Sequence, residues 1–291
     1  MSLWDKEFTP QLLGEVDKPF DDNKYLFEIK YDGIRSLLYI SKDDVIVKNR
    51  YGVDITSMFP EVKMLNKCIK ENVIFDGEII MFDNGKVSFS KLQKRIHLKN
   101  KKTIEYLSKS DPVIFVAFDI LYENKDLIDL KLINRKEILK KYENTDVFVK
   151  SKYVIGKGKK LFDVIKKMDM EGVVAKKIDS KYLVNVRSNS WLKIKNYHVS
   201  KFLVIGYINK DNSYVISLLL GEYKKGKLKY VGKVSVSKKK SLANKVLNMD
   251  KIKPMLGFKE KDVIYIKPEI KCNVWYLERT NNGHLRHPFV P

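Results

Sequence analysis

The chain has 291 residues, 44% of them hydrophobic, and a formal net charge of +21 from 57 Lys and Arg against 36 Asp and Glu. That length and apolar content suit two domains with real cores and exclude a disordered chain. The charge favours a polyanionic partner, because each phosphate neutralised by a cation releases counterions. Two widely separated cysteines, Cys68 and Cys272, exclude a disulfide framework or a cysteine-rich zinc site and suit a reducing compartment. The first residues lack the apolar core of a signal peptide, and no run approaches the roughly 20 apolar residues of a membrane span. A soluble protein of the cytoplasm, with no membrane contact, is expected.

In chain order, residues 1–23 read as a polar entry segment. Strands are predicted at 24–31, 34–41 and 44–49, the first two meeting at Asp32-Gly33, a strong turn or bulge signal. Lys30, Asp32 and Arg35 thus crowd one bend between apolar strands, where charge is normally avoided. A lysine held in such a place can shed its proton and act as a nucleophile. A helix is predicted at 61–71, from apolar residues at helical spacing. A strand at 72–82 carries Asp76-Gly77-Glu78 and ends in a hairpin turn at Asp83-Asn84-Gly85. Residues 88–108 read as basic helix, 112–122 as a buried central strand, 126–142 as a helix and 147–155 as one more strand. Gly156-Lys157-Gly158 opens a helix at 159–168, and strands follow at 172–178 and 191–196.

A domain boundary is predicted near residue 198, giving domains 1–198 and 199–291. Beyond it lie short strands at 201–208, 213–222, 227–236, 262–267 and 271–279, with one helix at 240–249. Five strands with an inserted helix suggest a small OB-type barrel. Residues 199–291 hold 19 basic against 7 acidic residues, a net +12, while the first 198 hold 38 against 29, a net +9. The smaller part is the more basic per residue, as a clamp on a nucleic-acid backbone requires.

Lys30-Tyr31-Asp32-Gly33-Ile34-Arg35 resembles the nucleotidyl-lysine motif of DNA ligases, RNA ligases and mRNA capping enzymes. The other motifs of that superfamily follow in order: Asp76-Gly77-Glu78, Phe115-Val116-Ala117-Phe118-Asp119, Glu171-Gly172-Val173-Val174-Ala175-Lys176 and Trp191-Leu192-Lys193-Ile194-Lys195. The stretches 218–234 and 275–288 resemble the OB domain of bacterial ligase-D type ATP-dependent DNA ligases. The resemblance implies an α+β two-domain ligase core: a nucleotidyltransferase domain of antiparallel sheets with flanking helices, then an OB-fold β-barrel. It implies Lys30 as the residue that takes AMP from ATP, Glu28 as an adenine contact, and Phe118 as the ring that stacks on adenine. Glu78 would bind ribose and, with Glu171, a magnesium (or manganese) ion. Lys193 and Lys195, two apart and so on one face of a strand, would grip the phosphates. Arg35 and Arg187 would fork onto phosphate or ribose oxygens, and Arg50 would reach the DNA end.

The implied activity is sealing of nicks in double-stranded DNA, in repair or end joining, by a monomer that works with Ku or other end-joining factors. Two departures stand out. Residues Ser235 to Lys240 replace a glycine-rich turn, and the family's last motif, Arg-x-Asp-Lys, is not visible, which bears on the rate of self-adenylation; Arg286 would substitute in part. Two other readings share some of these features. An RNA ligase or GTP-dependent capping enzyme would use the same lysine, but the C-terminal resemblance argues against it. A non-catalytic nucleic-acid clamp would not need to keep Lys30, Glu78, Glu171, Lys193 and Lys195.

Overall fold

The computed structural model describes residues 2–210, 213–254, 262–280 and 282–291, which fold as two compact units, 1–196 and 197–291. The first unit holds two five-stranded sheets. One runs, in spatial order, β1 (Leu12–Glu15), β12 (Arg187–Lys195), β11 (Gly172–Lys177), β2 (Tyr25–Lys30) and β10 (Tyr153–Ile155). The other runs β4 (Val45–Asn49), β3 (Ile34–Ile40), β5 (Val73–Ile80), β8 (Ile114–Glu123) and β9 (Phe148–Lys150). A two-residue hairpin, β6 (Phe82–Asp83) with β7 (Lys86–Val87), follows β5. Both sheets are antiparallel except at one edge each, where β1 joins β12 and β9 joins β8 in parallel.

Strand alternation builds three apolar layers. Leu26 and Trp191 from the first sheet meet Leu37, Tyr39, Ile74 and Leu121 from the second, so this layer lies between the sheets. Phe27, Val173 and Ile194 point the other way, onto Ile165 of α5 (Gly158–Lys167). Leu38, Val47, Phe75 and Phe115 form the outer face of the second sheet, covered by Val62, Leu65 and Leu92.

Most strands match the sequence pattern closely, as do the helices expected at 159–168 and 240–249, found at Gly158–Lys167 and Ser241–Leu247; the other helices depart from it. The helix expected at 61–71 is a 3₁₀ turn, Pro60–Met64, followed by a single turn, α1 (Leu65–Cys68). Ile69 is already extended, because it turns back into the core. The basic stretch 88–108 is two helices, α2 (Phe89–Ile96) and α3 (Lys101–Ser110), separated at Asn100, whose side chain accepts from Thr103 N and caps the second. The helix expected at 126–142 shrinks to α4 (Leu132–Leu139). The strand expected at 147–155 is two strands in different sheets, β9 and β10. The strand expected at 191–196 begins earlier, at Arg187, because β1, which lies inside the supposed entry segment, pairs with Arg187 and Ser188 and, after a register shift, with Leu192 and Lys193.

The second unit is the OB-type part. β13 (His198–Ile208) pairs with β14 (Val215–Lys224) on one edge; on the other it pairs first with β18 (Lys271–Tyr276) and then with β17 (Ile264–Ile266). β14 pairs with β15 (Lys227–Ser237), and β17 with β16 (Lys251–Ile252). The helix α6 (Ser241–Leu247) is inserted after β15 and packs Ala243 and Val246 into the core. Among the described residues the pairing forms an open path rather than a closed ring. A last hairpin joins β19 (Glu278–Arg279) to β20 (Leu285–Arg286), where Arg286 bonds Glu278 at 2.8 Å. Of the stretch 275–288, Asn281 lies outside the described residues. No helix among the described residues is long and apolar enough to cross a membrane.

Candidate active site

The site grows out of register. On β2, Leu26, Glu28 and Lys30 share the face toward the second sheet, while Phe27 sits under α5. Across the first sheet, Lys30 pairs with Gly172 and Gly172 with Lys195; two rungs along, on the same face, Glu28, Val174, Lys193 and Glu15 are aligned. Motifs more than 160 residues apart thus fall on two rungs of one face. Two glycines allow this. A Cβ on Gly33 would lie 2.1 Å from the Ile79 carbonyl oxygen, so only glycine lets the chain cross from β2 to β3 in the facing sheet. Gly172 has a φ of +153°, and a Cβ there would meet the Ile194 carbonyl at 2.1 Å.

Lys30 Nζ bonds the Glu171 carboxylate at 2.9 Å, with both side chains largely buried. Glu78 faces the pair from β5, opposite Arg35 in the register. Burial pushes the Glu78 carboxyl up to about 8; Lys30 and Arg35 oppose this, and the charges of Glu171 and Asp76 add to it. Glu78 therefore holds its proton to a higher pH than an ordinary carboxyl. On the neighbouring edge Glu15 bridges Lys193 at 3.1 Å and Lys195 at 3.0 Å. Burial raises the Glu15 carboxyl, but the two ammoniums outweigh it and hold it below its ordinary value.

Deeper in, Glu28 is 2% exposed and is held by two lysines. Lys136 of α4 bonds one oxygen, and Lys176 of β11 lies 2.6 Å from the other. The Lys176 ammonium also sits 4.0 Å from the ring centres of both Phe118 and Trp191. Burial brings it down to about 8 against the pull of Glu28, and Lys136 adds to the fall. Phe118 is half-buried in an otherwise buried strand.

The sequence-predicted residues fall into three groups. Lys30, Glu28, Glu78, Glu171, Phe118, Lys193 and Lys195 all face the space between the sheets. Arg35 faces it too, but its guanidinium is taken by Asp76 through two bonds of 3.1 and 2.7 Å, and Tyr182 donates to the same carboxylate at 2.7 Å. Burial would lower Arg35, but Asp76 and Tyr182 outweigh it and hold the cation above its ordinary value. Arg50 lies on the exposed turn after β4, over the Tyr51 ring at 4.6 Å, one residue past the Asn49–Ser36 pair. Arg187 is exposed, donates to the Leu13 carbonyl, and stands six residues before Lys193 on β12, about 20 Å along the strand. Sequence reasoning missed Glu15, Asp76, Lys136 and Tyr182. Asp76 carried a signal, as part of the Asp76-Gly77-Glu78 motif; the partners of Glu15, Lys136 and Tyr182 lie more than 100 residues away in the chain.

The donor set fits a divalent cation. Among the described residues no group of three or more acidic, His or Cys side chains stands assembled. Glu78 and Glu171 are near enough for one charge to raise the other, and two hard carboxylate donors leave the remaining positions to phosphate oxygens and water.

Known proteins match this arrangement along its length. A family model described as ATP dependent DNA ligase domain covers residues 11–195, and one described as ATP dependent DNA ligase C terminal region covers 211–290. The chain belongs to the ATP-dependent DNA ligase family. Within it the likeness is to ligase modules of the LigD type. It is 30% identical over 284 residues to the SPbeta prophage-derived DNA ligase-like protein LigB of Bacillus subtilis strain 168, covering 96% of each. It is 30% identical over 301 residues to the multifunctional non-homologous end joining protein LigD of Mycolicibacterium smegmatis, covering 97% of this chain but 38% of that protein. A solved structure of mycobacterial DNA ligase D complexed with ATP and MES superposes with a TM-score of 0.61 at 26% identity, covering 97% of this chain and 93% of that one.

Proposed function

We propose that Lys30 is the nucleophile of an ATP-dependent DNA ligase reaction and that the two rungs around it hold the nucleotide. The observation that carries this is the placement of the Lys30 amine 2.9 Å from the Glu171 carboxylate, with Lys195 on the same rung. Lys30 Nζ passes a proton to a carboxylate, with Glu171 the nearest, and attacks the α-phosphorus of ATP. The P–N bond forms, the bond to the β-phosphate oxygen breaks, and pyrophosphate leaves. Lys193 and Lys195 stabilise the charge that grows on the phosphate oxygens. Phe118 stacks on adenine and Glu28 accepts from its amino group. A magnesium or manganese ion held by Glu78 and Glu171 would neutralise further phosphate charge. AMP then passes to the 5′-phosphate of a nick, and the 3′-hydroxyl displaces AMP to seal the strand.

In this reading residues 1–198 adenylate and 199–291 clamp the DNA. Exposed Lys224, Lys225, Lys227, Lys229 and Lys233 on the β14–β15 hairpin supply the clamp. If four of them neutralise phosphates, affinity for nicked DNA falls roughly 100-fold between 50 and 200 mM salt; a flat response would remove the clamp. The chain would act in repair or end joining, as a monomer recruited by Ku or a similar factor.

The test is incubation with α-labelled ATP and magnesium, after pyrophosphate treatment to strip bound AMP. Label should stay with the denatured protein and move to the 5′ end of nicked DNA. Protein that never takes label sinks the reading. Glu15 adds an expectation: it occupies the two lysines that phosphate needs. Glu15→Gln should lower KM for ATP about two- to fivefold, the scale of releasing partly exposed ion pairs; a raised KM would mean that Glu15 positions the lysines instead.

A further inference from the structure

Helix α4 sends two consecutive charged side chains inward. Arg135 has a structural task, gripping Asp119 of β8. Lys136 has none of that kind. It is 2% exposed, reaches the buried Glu28 carboxylate, and passes 5.3 Å from the Tyr153 ring centre. Lys176 meets the same carboxylate from β11. Two buried lysines on one buried carboxylate are a poor way to hold a fold together, since apolar side chains of similar volume do so with less desolvation. The arrangement makes sense if the carboxylate itself is what must be held.

Each oxygen of Glu28 has one cation, so the plane of the group is fixed and it stays a pure acceptor. Each oxygen still has a free lone pair. Such a group takes an N–H and rejects a carbonyl at the same spot. We propose that Lys136 and Lys176 are positioning residues that fix Glu28 to read the 6-amino group of adenine, and so set the base specificity of the adenylation step. This rests on the reading that Lys30 is adenylated in this pocket.

Pyrophosphate release during self-adenylation tests it with three nucleotides: ATP, purine riboside triphosphate, which lacks the 6-amino group, and inosine triphosphate, which has a 6-oxo group. The wild type should prefer ATP by at least about 100-fold in kcat/KM over both, as sites built around a hydrogen bond do. Lys136→Met should raise KM for ATP about tenfold, leave kcat within about threefold, and shrink the preference below about tenfold. Lys136→Arg should restore most of it. Lys176→Met should behave like Lys136→Met, and decides the matter if Lys136→Met does not fold. A wild type that adenylates but does not discriminate overturns the proposal. So do folded variants that lose kcat for all three nucleotides alike, which would mark the lysines as structural. A wild type that releases no pyrophosphate and takes no label would instead overturn the reading of Lys30.

Discussion

Lys30→Ala should lose covalent AMP completely on the scale of a labelling assay, a fall on the order of 10⁴ or more, because no other amine can replace the bond-forming atom. The fold should survive. Lys30 and Glu171 are 21% and 12% exposed at the side chain, so the carboxylate left behind can reach water, and melting should move by only a few degrees. The variant should fail to seal a nick with ATP. It should still seal, slowly, a nick that already carries AMP on its 5′-phosphate, since in the proposed mechanism that last step uses Lys193 and Lys195 on the phosphate and no lysyl intermediate. Two results would contradict this. Labelling that persists would place the nucleophile elsewhere. Failure on the pre-adenylated nick, in a variant with wild-type melting, would mean that Lys30 also serves the final displacement.

The residues of that argument were legible through their resemblance to ligase motifs, and the strands that carry Lys30, Lys193 and Lys195 added their geometry. A motif on a strand carries its own geometry: Glu28 and Lys30, or Lys193 and Lys195, share a face by period two wherever the strand lies. Contacts set by partners distant in sequence were not legible. Arg35 was expected to reach phosphate or ribose, yet the β3–β5 register sets it opposite Glu78, and its guanidinium reaches diagonally to Asp76, 41 residues on. Arg187 shares a strand with Lys193 but stands far along it. β1 is only four residues long, too short for any alternation to declare itself, and with it went Glu15. The helices were the weakest part, since a charged residue in a helical pattern is normally assigned to the solvent face. Nothing in the helix expected at 126–142 set Arg135 and Lys136 apart from its other charges. The signal for their burial lies on strands 16 and 108 residues away.

Arg135 carries the second large effect. Arg135 and Asp119 are both 0% exposed. The guanidinium forks onto the two Asp119 oxygens at 2.9 and 2.8 Å, and its remaining nitrogen donates to the carbonyls of Leu130 at 2.5 Å and Ser180 at 3.2 Å. Removing it leaves the Asp119 carboxylate buried with, among the described residues, one hydrogen bond, from the Ile120 backbone N–H, and the Lys176 charge nearby. Breaking such a pair on one side costs about 3–5 kcal/mol. In a unit of 196 residues that corresponds to about 6–20 °C of melting temperature. Arg135→Met should therefore destabilise the first unit by that amount. Arg135→Met with Asp119→Leu should recover much of the loss, because the unpaired charge is then gone; a double-mutant cycle measures how much. A single variant within about 1 kcal/mol of wild type would show that water or a neighbour satisfies Asp119, against its burial. The consequence for activity separates the two neighbours on α4. Arg135 ties the helix to the chain around Ser180, two residues before the Tyr182 that bonds Asp76, so its loss should disturb Arg35 and Glu28 together and depress kcat and affinity alike. Among the described residues the acidic group that Lys136 pairs with is Glu28, and its loss should spare the turnover that Arg135→Met reduces.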